Sequence, residues 1–332
     1  MAGMGEFELI ERYFKRPVHK AALGVGDDCA LLQPQPGMQL AISSDMLVSG
    51  RHFFPDVDPR TLGHKALAVN LSDLAACGAR PLAFTLALAL PEAREAWLEP
   101  FSQGLLALAD AHGCELIGGD TTQGPLNICI TVFGEVPAGQ ALLRSGARAG
   151  DDIYVSGTLG DARLALDALL GKLTLPAAVL ASARRRLELP TPRVALGMTL
   201  RGIATAAADV SDGLLGDLGH ILKQSRVGAS IDTAVATTLI AACAHSTRAD
   251  GQFGLKLSQT QTLQCVLAGG DDYELVFTAP ALQRNAVVAA AQASGTPVTR
   301  IGRIDAVPGL RLVNASGAPV TNTFASFDHF ST

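Results

Sequence analysis

The stretch KALAVNLSDLAACGARPLAFTLALAL (65–90) decides how this chain is read. Its first half is apolar at helical spacing, and Gly78 stands where a left-handed C′ residue would close the helix. Its second half, 82–90, is a continuous apolar run of strand length. The same alternation recurs on both sides. Strand patterns fall at 39–43, 115–117 and 126–135, helical patterns at 60–77 and 95–111, and an amphipathic helix opens near Glu6. This describes an α/β or α+β unit. The segment AGQALLRSGARAGDD (138–152) breaks the pattern and reads as a domain junction. The expected layout is an N-terminal α/β domain over 1–137, a junction at 138–151 and a C-terminal α+β domain over 152–332. The second domain is expected to hold helices at 161–170, 177–188 and 192–203, strands at 152–157, 263–268, 274–278, 298–303 and 309–313, and a polar loop at 244–258.

Within the apolar helix, Asn70 and Asp73 are three residues apart and share one face. Polar groups on such a surface need partners. Five further short segments set aspartates among Gly, Ser and Thr: GVGDDCA (24–30), ISSD (42–45), GGDTT (118–122), DVSDG (209–213) and AGGDDYE (268–274). Charged residues are only 17% of the chain, so this concentration is not a device for solubility. Converging carboxylates repel unless cations lie between them. Mg²⁺ takes oxygen ligands and is commonly shared between one or two carboxylates and a substrate phosphate. The residues thus point to a multi-metal site that handles phosphate. Each segment also has a plainer reading: a surface turn for GVGDD, a strand end for ISSD, a helix N-cap for Ser211 or Asp212, a hairpin turn for GGDDYE.

A net charge of −5 offers no electrostatic reason to expect nucleic acid or an anionic membrane as partner. The six cysteines (Cys29, Cys77, Cys114, Cys129, Cys243, Cys265) form no CxxC pair and read as buried free thiols, suiting a reducing cytoplasm. No run of about 18 apolar residues occurs, and the N-terminus lacks an apolar leader core. There is no GxxxxGK[ST], kinase HRD or DFG, GxSxG or HExxH. An ATP enzyme built this way would hold its nucleotide through metals and Gly-rich segments. The run Arg184–Arg186 reads as a solvated helix face, and Trp97 as a core or subunit-contact residue.

Taken in order, GVGDDCA, ISSD with HF (52–53), KALAVNLSDLAACGA, LIGGDTT, LRSGA (143–147), DVSDGLLGDLGHI (209–221) and GGDDYEL (269–275) resemble the thiamine-monophosphate kinase family. That family belongs to a superfamily of ATP-using enzymes with aminoimidazole ribonucleotide synthetase, selenophosphate synthetase and a hydrogenase maturation factor. The resemblance implies an aminoimidazole ribonucleotide synthetase-like two-domain fold whose N-terminal domains pair into an intersubunit β-barrel in a homodimer. It also implies that ATP and several Mg²⁺ ions lie in the cleft between the domains. By this resemblance the metal ligands are Asp28, Ser43, Ser44, Asp45, Asp73, Asp120, Asp209 and Asp212. ATP is met by Gly119, Asp120, Arg144 and Ser211, and thiamine monophosphate by His52, Asp271 and Phe327. Asp45, Asp73, Asp120, Asp209 and Arg144 would carry catalysis. Two positions depart from the family habit: Asp271 stands where Glu is common, and Phe327 where Tyr or Trp is common. The competing readings are a superfamily enzyme of the selenophosphate-synthetase or hydrogenase-maturation kind, and a non-catalytic Ca²⁺-stabilised module. The chain has no Cys- or Gly-rich mobile N-terminal segment to favour the former and no dense DxDxDG loop to favour the latter.

Overall fold

The structure is a computed structural model and describes residues 5–244 and 257–324. The chain divides into two compact units, 1–74 with 79–141, and 75–78 with 142–332.

The first unit runs α1 (Glu6–Tyr13), β1 (Ala21–Leu23), β2 (Leu31–Leu32), β3 (Met38–Val48), α2 (Pro59–Ala76), β4 (Arg80–Leu90), α3 (Glu95–His112), β5 (Glu115–Gln123) and β6 (Asn127–Pro137). Its four-stranded sheet has the order β3-β6-β4-β5, with β4 and β5 parallel and the other pairs antiparallel. The helix expected over 60–77 is α2. Gly78 follows it at φ 66, a left-handed conformation that only glycine adopts without penalty. Leu67, Leu71, Phe84 and Phe101 are completely buried. Trp97 is half-buried and stacks on Phe101 with ring centroids 4.6 Å apart. Successive side chains of a strand face opposite ways. On β3 this places Ser43 and Leu47 on one face, while Leu40, Ile42 and Met46 share the other and remain 40%, 59% and 52% exposed.

The second unit runs β7 (Asp152–Ser156), α4 (Asp161–Leu169), α5 (Ala177–Glu188), α6 (Val194–Thr199), β8 (Ala206–Val210), α7 (Leu214–Ser225), β9 (Gly228–Asp232), α8 (Thr233–Ala236), α9 (Ala241–Ala244), α10 (Gln259–Ala268), β10 (Glu274–Ala279), α11 (Arg284–Ser294), β11 (Val298–Asp305), β12 (Gly309–Val313) and β13 (Pro319–Val320). Its seven strands have the order β13-β12-β9-β11-β7-β10-β8, with only β12 and β9 parallel. Ile153, Val155, Leu214, Leu218, Ile231 and Val276 belong to one fully buried core.

Several expectations are corrected. Residues 263–268 are helical, as the end of α10. A short apolar run does not distinguish strand from helix, but Ser258 and Gln261 form a capping box: Ser258 Oγ accepts from Gln261 N at 3.2 Å and Gln261 Oε1 accepts from Ser258 N at 2.9 Å. GGDDYE therefore joins a helix to a strand and is no hairpin turn. ISSD lies inside β3, and GGDTT lies inside β5, where Gly119 and Asp120 pair with Leu86 and Ala87. Cys29 is exposed; Cys77 and Cys129 are half-buried, Cys114 and Cys265 buried, and none of the five is in a disulfide. Among the described residues no helix is long and apolar enough to cross a membrane.

Candidate active site

In the first unit the ISSD and NLSD segments meet. Ser43 Oγ donates to Asp73 Oδ2 at 2.5 Å. Asn70 Oδ1 accepts from Asp45 N at 3.1 Å, and Asn70 Nδ2 donates to Ala66 O at 3.0 Å. Asn70 is only 1% exposed, and these bonds are the partners its place on an apolar helix requires. Ser44 sits on the opposite face of β3, its Oγ 3.0 Å from Thr131 Oγ1 and donating to Ile130 O at 3.2 Å. His52 Nδ1 accepts from Val48 N at 3.0 Å, so the neutral ring carries its proton on Nε2.

A cavity of about 700 Å³ brings two more segments together in the same unit. Asp27 and Asp28 line it from the GVGDD segment and Gly119 and Asp120 from β5, with Phe14 and Lys15 at the end of α1. Gly119 has φ 148, and a Cβ there would lie 1.9 Å from Leu86 O, so no other residue fits. Asp27 and Asp28 are exposed, and Asp27 Oδ1 accepts from Asp28 N at 2.9 Å.

In the second unit the DVSDG and GGDDYE segments are joined. Their strands β8 and β10 are antiparallel neighbours, with Asp209 opposite Leu275, so the end of one strand and the start of the next lie at the same edge. Asp271 N donates to Ser211 O at 2.8 Å, and Tyr273 N to Val210 O at 2.9 Å. Asp271 and Tyr273 have φ of 60 and 51, left-handed conformations uncommon for residues with a side chain. Tyr273 Oη donates to Asp271 Oδ1 at 3.3 Å. Asp209 is buried, while Ser211, Asp212 and Asp271 are half-buried. Arg144 is exposed, and its carbonyl accepts from Ser225 Oγ at 3.2 Å.

Neither Ser211 nor Asp212 caps α7. Its N-cap is Gly213, which makes no side-chain capping bond. Asp217 reaches back from the first turn, and its Oδ2 accepts from Ser211 N, Asp212 N and Gly213 N at 3.1, 3.2 and 3.2 Å. Burial and the neighbouring Asp212 charge push the Asp217 carboxyl up to about 7, against the lowering effect of those N–H groups. The sequence reading passed over Asp217, although an acid in the first helical turn after an uncapped Gly was the available signal.

Beneath GGDDYE lies a buried ionic network. Glu274 is fully buried and accepts from Ser156 Oγ at 2.5 Å, from Arg186 Nη2 at 2.7 Å, and from Arg193 Nε at 2.6 Å. Arg186 also donates to Asp272 O at 3.3 Å. This corrects the reading of 184–186 as a solvated face: Arg184 is exposed and pairs with Glu188, but Arg186 turns inward. Both carboxylate oxygens of Asp272 lie 3.0 Å from Gly160 N, and burial pushes its carboxyl well above the usual range.

Among the described residues, no three His, Cys, Asp or Glu side chains are grouped closely enough to hold a metal ion by themselves. The acids are brought together by pairs of segments, Ser43 with Asp73, Asp28 with Asp120, and the Asp209–Asp212 loop with Asp271. Phe327 lies outside the described residues. The donors are uniformly carboxylate and hydroxyl oxygens, which suits Mg²⁺, an ion that keeps several waters and shares phosphate ligands.

Residues 26–136 match the AIR synthase related protein, N-terminal domain, and residues 148–314 the AIR synthase related protein, C-terminal domain. The fold and its acid-bearing segments are thus those of a two-domain AIR-synthase-related protein with mixed sheets. The thiamine-monophosphate kinase of Salmonella typhimurium is 48% identical over 335 residues, covering 99% of each chain. The chain belongs to the thiamine-monophosphate kinase family. The crystal structure of the thiamine-monophosphate kinase from Stenotrophomonas maltophilia K279a is 47% identical, with a TM-score of 0.81 over 95% of this chain and 96% of that one. A solved complex of AaThiL with AMPPCP and TMP is 27% identical, with a TM-score of 0.72 over 98% and 97% of the two chains.

Proposed function

We propose that this enzyme transfers the γ-phosphoryl group of ATP to thiamine monophosphate, yielding thiamine diphosphate and ADP by direct in-line attack. The observation that carries the reading is the near-full-length match to thiamine-monophosphate kinases, supported by a relative solved with AMPPCP and TMP. The nucleophile is a phosphate oxygen already largely ionised at neutral pH, so no strong general base is required. The obstacle is repulsion between two anionic phosphates, and catalysis of such transfers rests on positioning and charge stabilisation.

Bound Mg²⁺ supplies the charge neutralisation that lets the two phosphates approach. Asp28, Ser43, Ser44, Asp45, Asp73, Asp120, Asp209 and Asp212 would hold it. Gly119, Asp120, Arg144 and Ser211 would hold the nucleotide. The cavity lined by Asp28, Gly119 and Asp120 supports a polyphosphate there. Arg144, exposed, is able to fork onto a phosphate. His52, Asp271 and Phe327 would contact thiamine monophosphate, with Asp271 fixed in place by Ser211 and Tyr273. The test is a coupled assay of the purified protein with ATP, Mg²⁺ and thiamine monophosphate. ADP release should depend on all three, with thiamine inactive as acceptor. Equal turnover without thiamine monophosphate would overturn the assignment.

A homodimer formed through the N-terminal unit belongs to the same proposal. The exposed Leu40, Ile42 and Met46 on one face of β3 support it, because an uncovered apolar sheet face favours association. Sedimentation velocity at micromolar concentration should give a dimer, and a monomer would remove this part of the reading. A cytoplasmic location is proposed with it, in keeping with five described cysteines that form no disulfide.

A further inference from the structure

We infer that Asp217 is a positioning residue for phosphoryl transfer: its carboxylate clamps the Ser211–Gly213 loop, reserving Ser211 and Asp212 for nucleotide and metal, and through that loop it also sets Asp271. The inference rests on the kinase reading above. The Ser211–Gly213 loop leading into α7 presents three backbone N–H groups that need an acceptor, and the helix N-cap, Gly213, makes no side-chain capping bond. Ser211 and Asp212 are residue types that ordinarily cap a helix, and neither caps α7. Asp217 instead takes the N–H groups of the loop itself: one oxygen accepts all three bonds, at a residue only 3% exposed. With both loop side chains released from capping, the loop is held rigid without using its own polar groups.

The clamp extends further. Ser211 O accepts from Asp271 N and Val210 O from Tyr273 N, and both donors sit in left-handed conformations. Strained backbone of this kind persists only where its surroundings over-determine it. A shift of Ser211 therefore displaces the acceptor that holds Asp271, and with it the thiamine-monophosphate contact. A carboxylate that merely capped a helix would affect stability alone. A positioning carboxylate affects metal affinity and acceptor binding together, although it touches neither.

The experiment titrates Mn²⁺ calorimetrically into the full-length enzyme in the presence of AMPPCP, and measures KM for thiamine monophosphate separately from kcat. Asp217→Ala should weaken Mn²⁺ binding about 10- to 100-fold, as loss of an orienting partner does, and should raise KM for thiamine monophosphate. Asp217→Asn keeps a carbonyl oxygen for the same three N–H groups and should restore most of both. Unchanged Mn²⁺ and thiamine-monophosphate binding in Asp217→Ala, with only a lower Tm, would overturn the inference. Should that variant fail to fold, Asp217→Glu, which keeps the charge but moves the oxygen, decides by the same readouts. Asp212→Asn is the comparator. Parental Mn²⁺ binding in Asp212→Asn would overturn the metal assignment itself and the inference with it, whereas weakened binding there beside normal binding in Asp217→Ala overturns the inference alone.

Discussion

Replacing Asp73 by asparagine should lower kcat by ~10³-fold at saturating Mg²⁺, a loss of about 4 kcal/mol of transition-state stabilisation. The substitution is nearly isosteric. Its amide oxygen can still accept from Ser43 Oγ on β3. Asn70, on the same helix, keeps its own bonds with Asp45 N and Ala66 O. The fold should therefore survive with a shift in Tm of only a few degrees, as expected for a ΔΔG of roughly 1 kcal/mol. What disappears is a negative charge placed to hold a divalent ion between phosphates. Steady-state kinetics over a Mg²⁺ series, with calorimetry of the same preparation, separates the two effects. A near-normal rate at high Mg²⁺ would remove Asp73 from the metal set.

The second large effect is on stability. Glu274→Ala should destabilise the second unit by about 3–5 kcal/mol, because breaking a buried pair leaves charge uncompensated. Glu274 is fully buried, and both Arg186 and Arg193 converge on it. Removing it strands two guanidinium groups that are 20% and 16% exposed, and leaves Ser156 Oγ without its acceptor. The expected fall in Tm is of order 10 °C for a unit of this size. Glu274 also anchors the end of the segment that carries Asp271, so the variant should bind thiamine monophosphate less well even below its melting transition. A Tm within about 2 °C of the parent would show that the network carries little net stability, which hydrophobic replacement of some buried ion pairs has precedent for.

Most helices and strands follow from periodicity, since an amphipathic or apolar run has few ways to bury its surface. α2, α3 and α5 lie at or within a residue of their expected bounds. The failure at 263–268 arose where an apolar run was short, and where the deciding feature, the Ser258–Gln261 capping box, lay outside the run itself. β8 passed unnoticed because Ala206–Ala208 prefer helix, and only pairing with β10 makes them a strand. Reading ISSD and GGDTT as strand termini failed for a related reason: pairing partners extended β3 and β5 beyond their apolar residues.

The candidate site divides in the same way. The sequence by itself determined which residue types are present: oxygen donors in short segments among small residues, in an order that resembles one kinase family. Composition and order suffice for that, because ligand chemistry is a property of the side chain. Which segments touch was decided only by the tertiary structure. Ser43 reaches Asp73 because α2 covers one face of β3, and Ser211 meets Asp271 because β8 and β10 are neighbours in the sheet. Arg186 and Asp217 look on paper like a solvated arginine and an ordinary helical acid. Their burial, and so their partners, depend on contacts from residues distant in the chain, which no local pattern encodes.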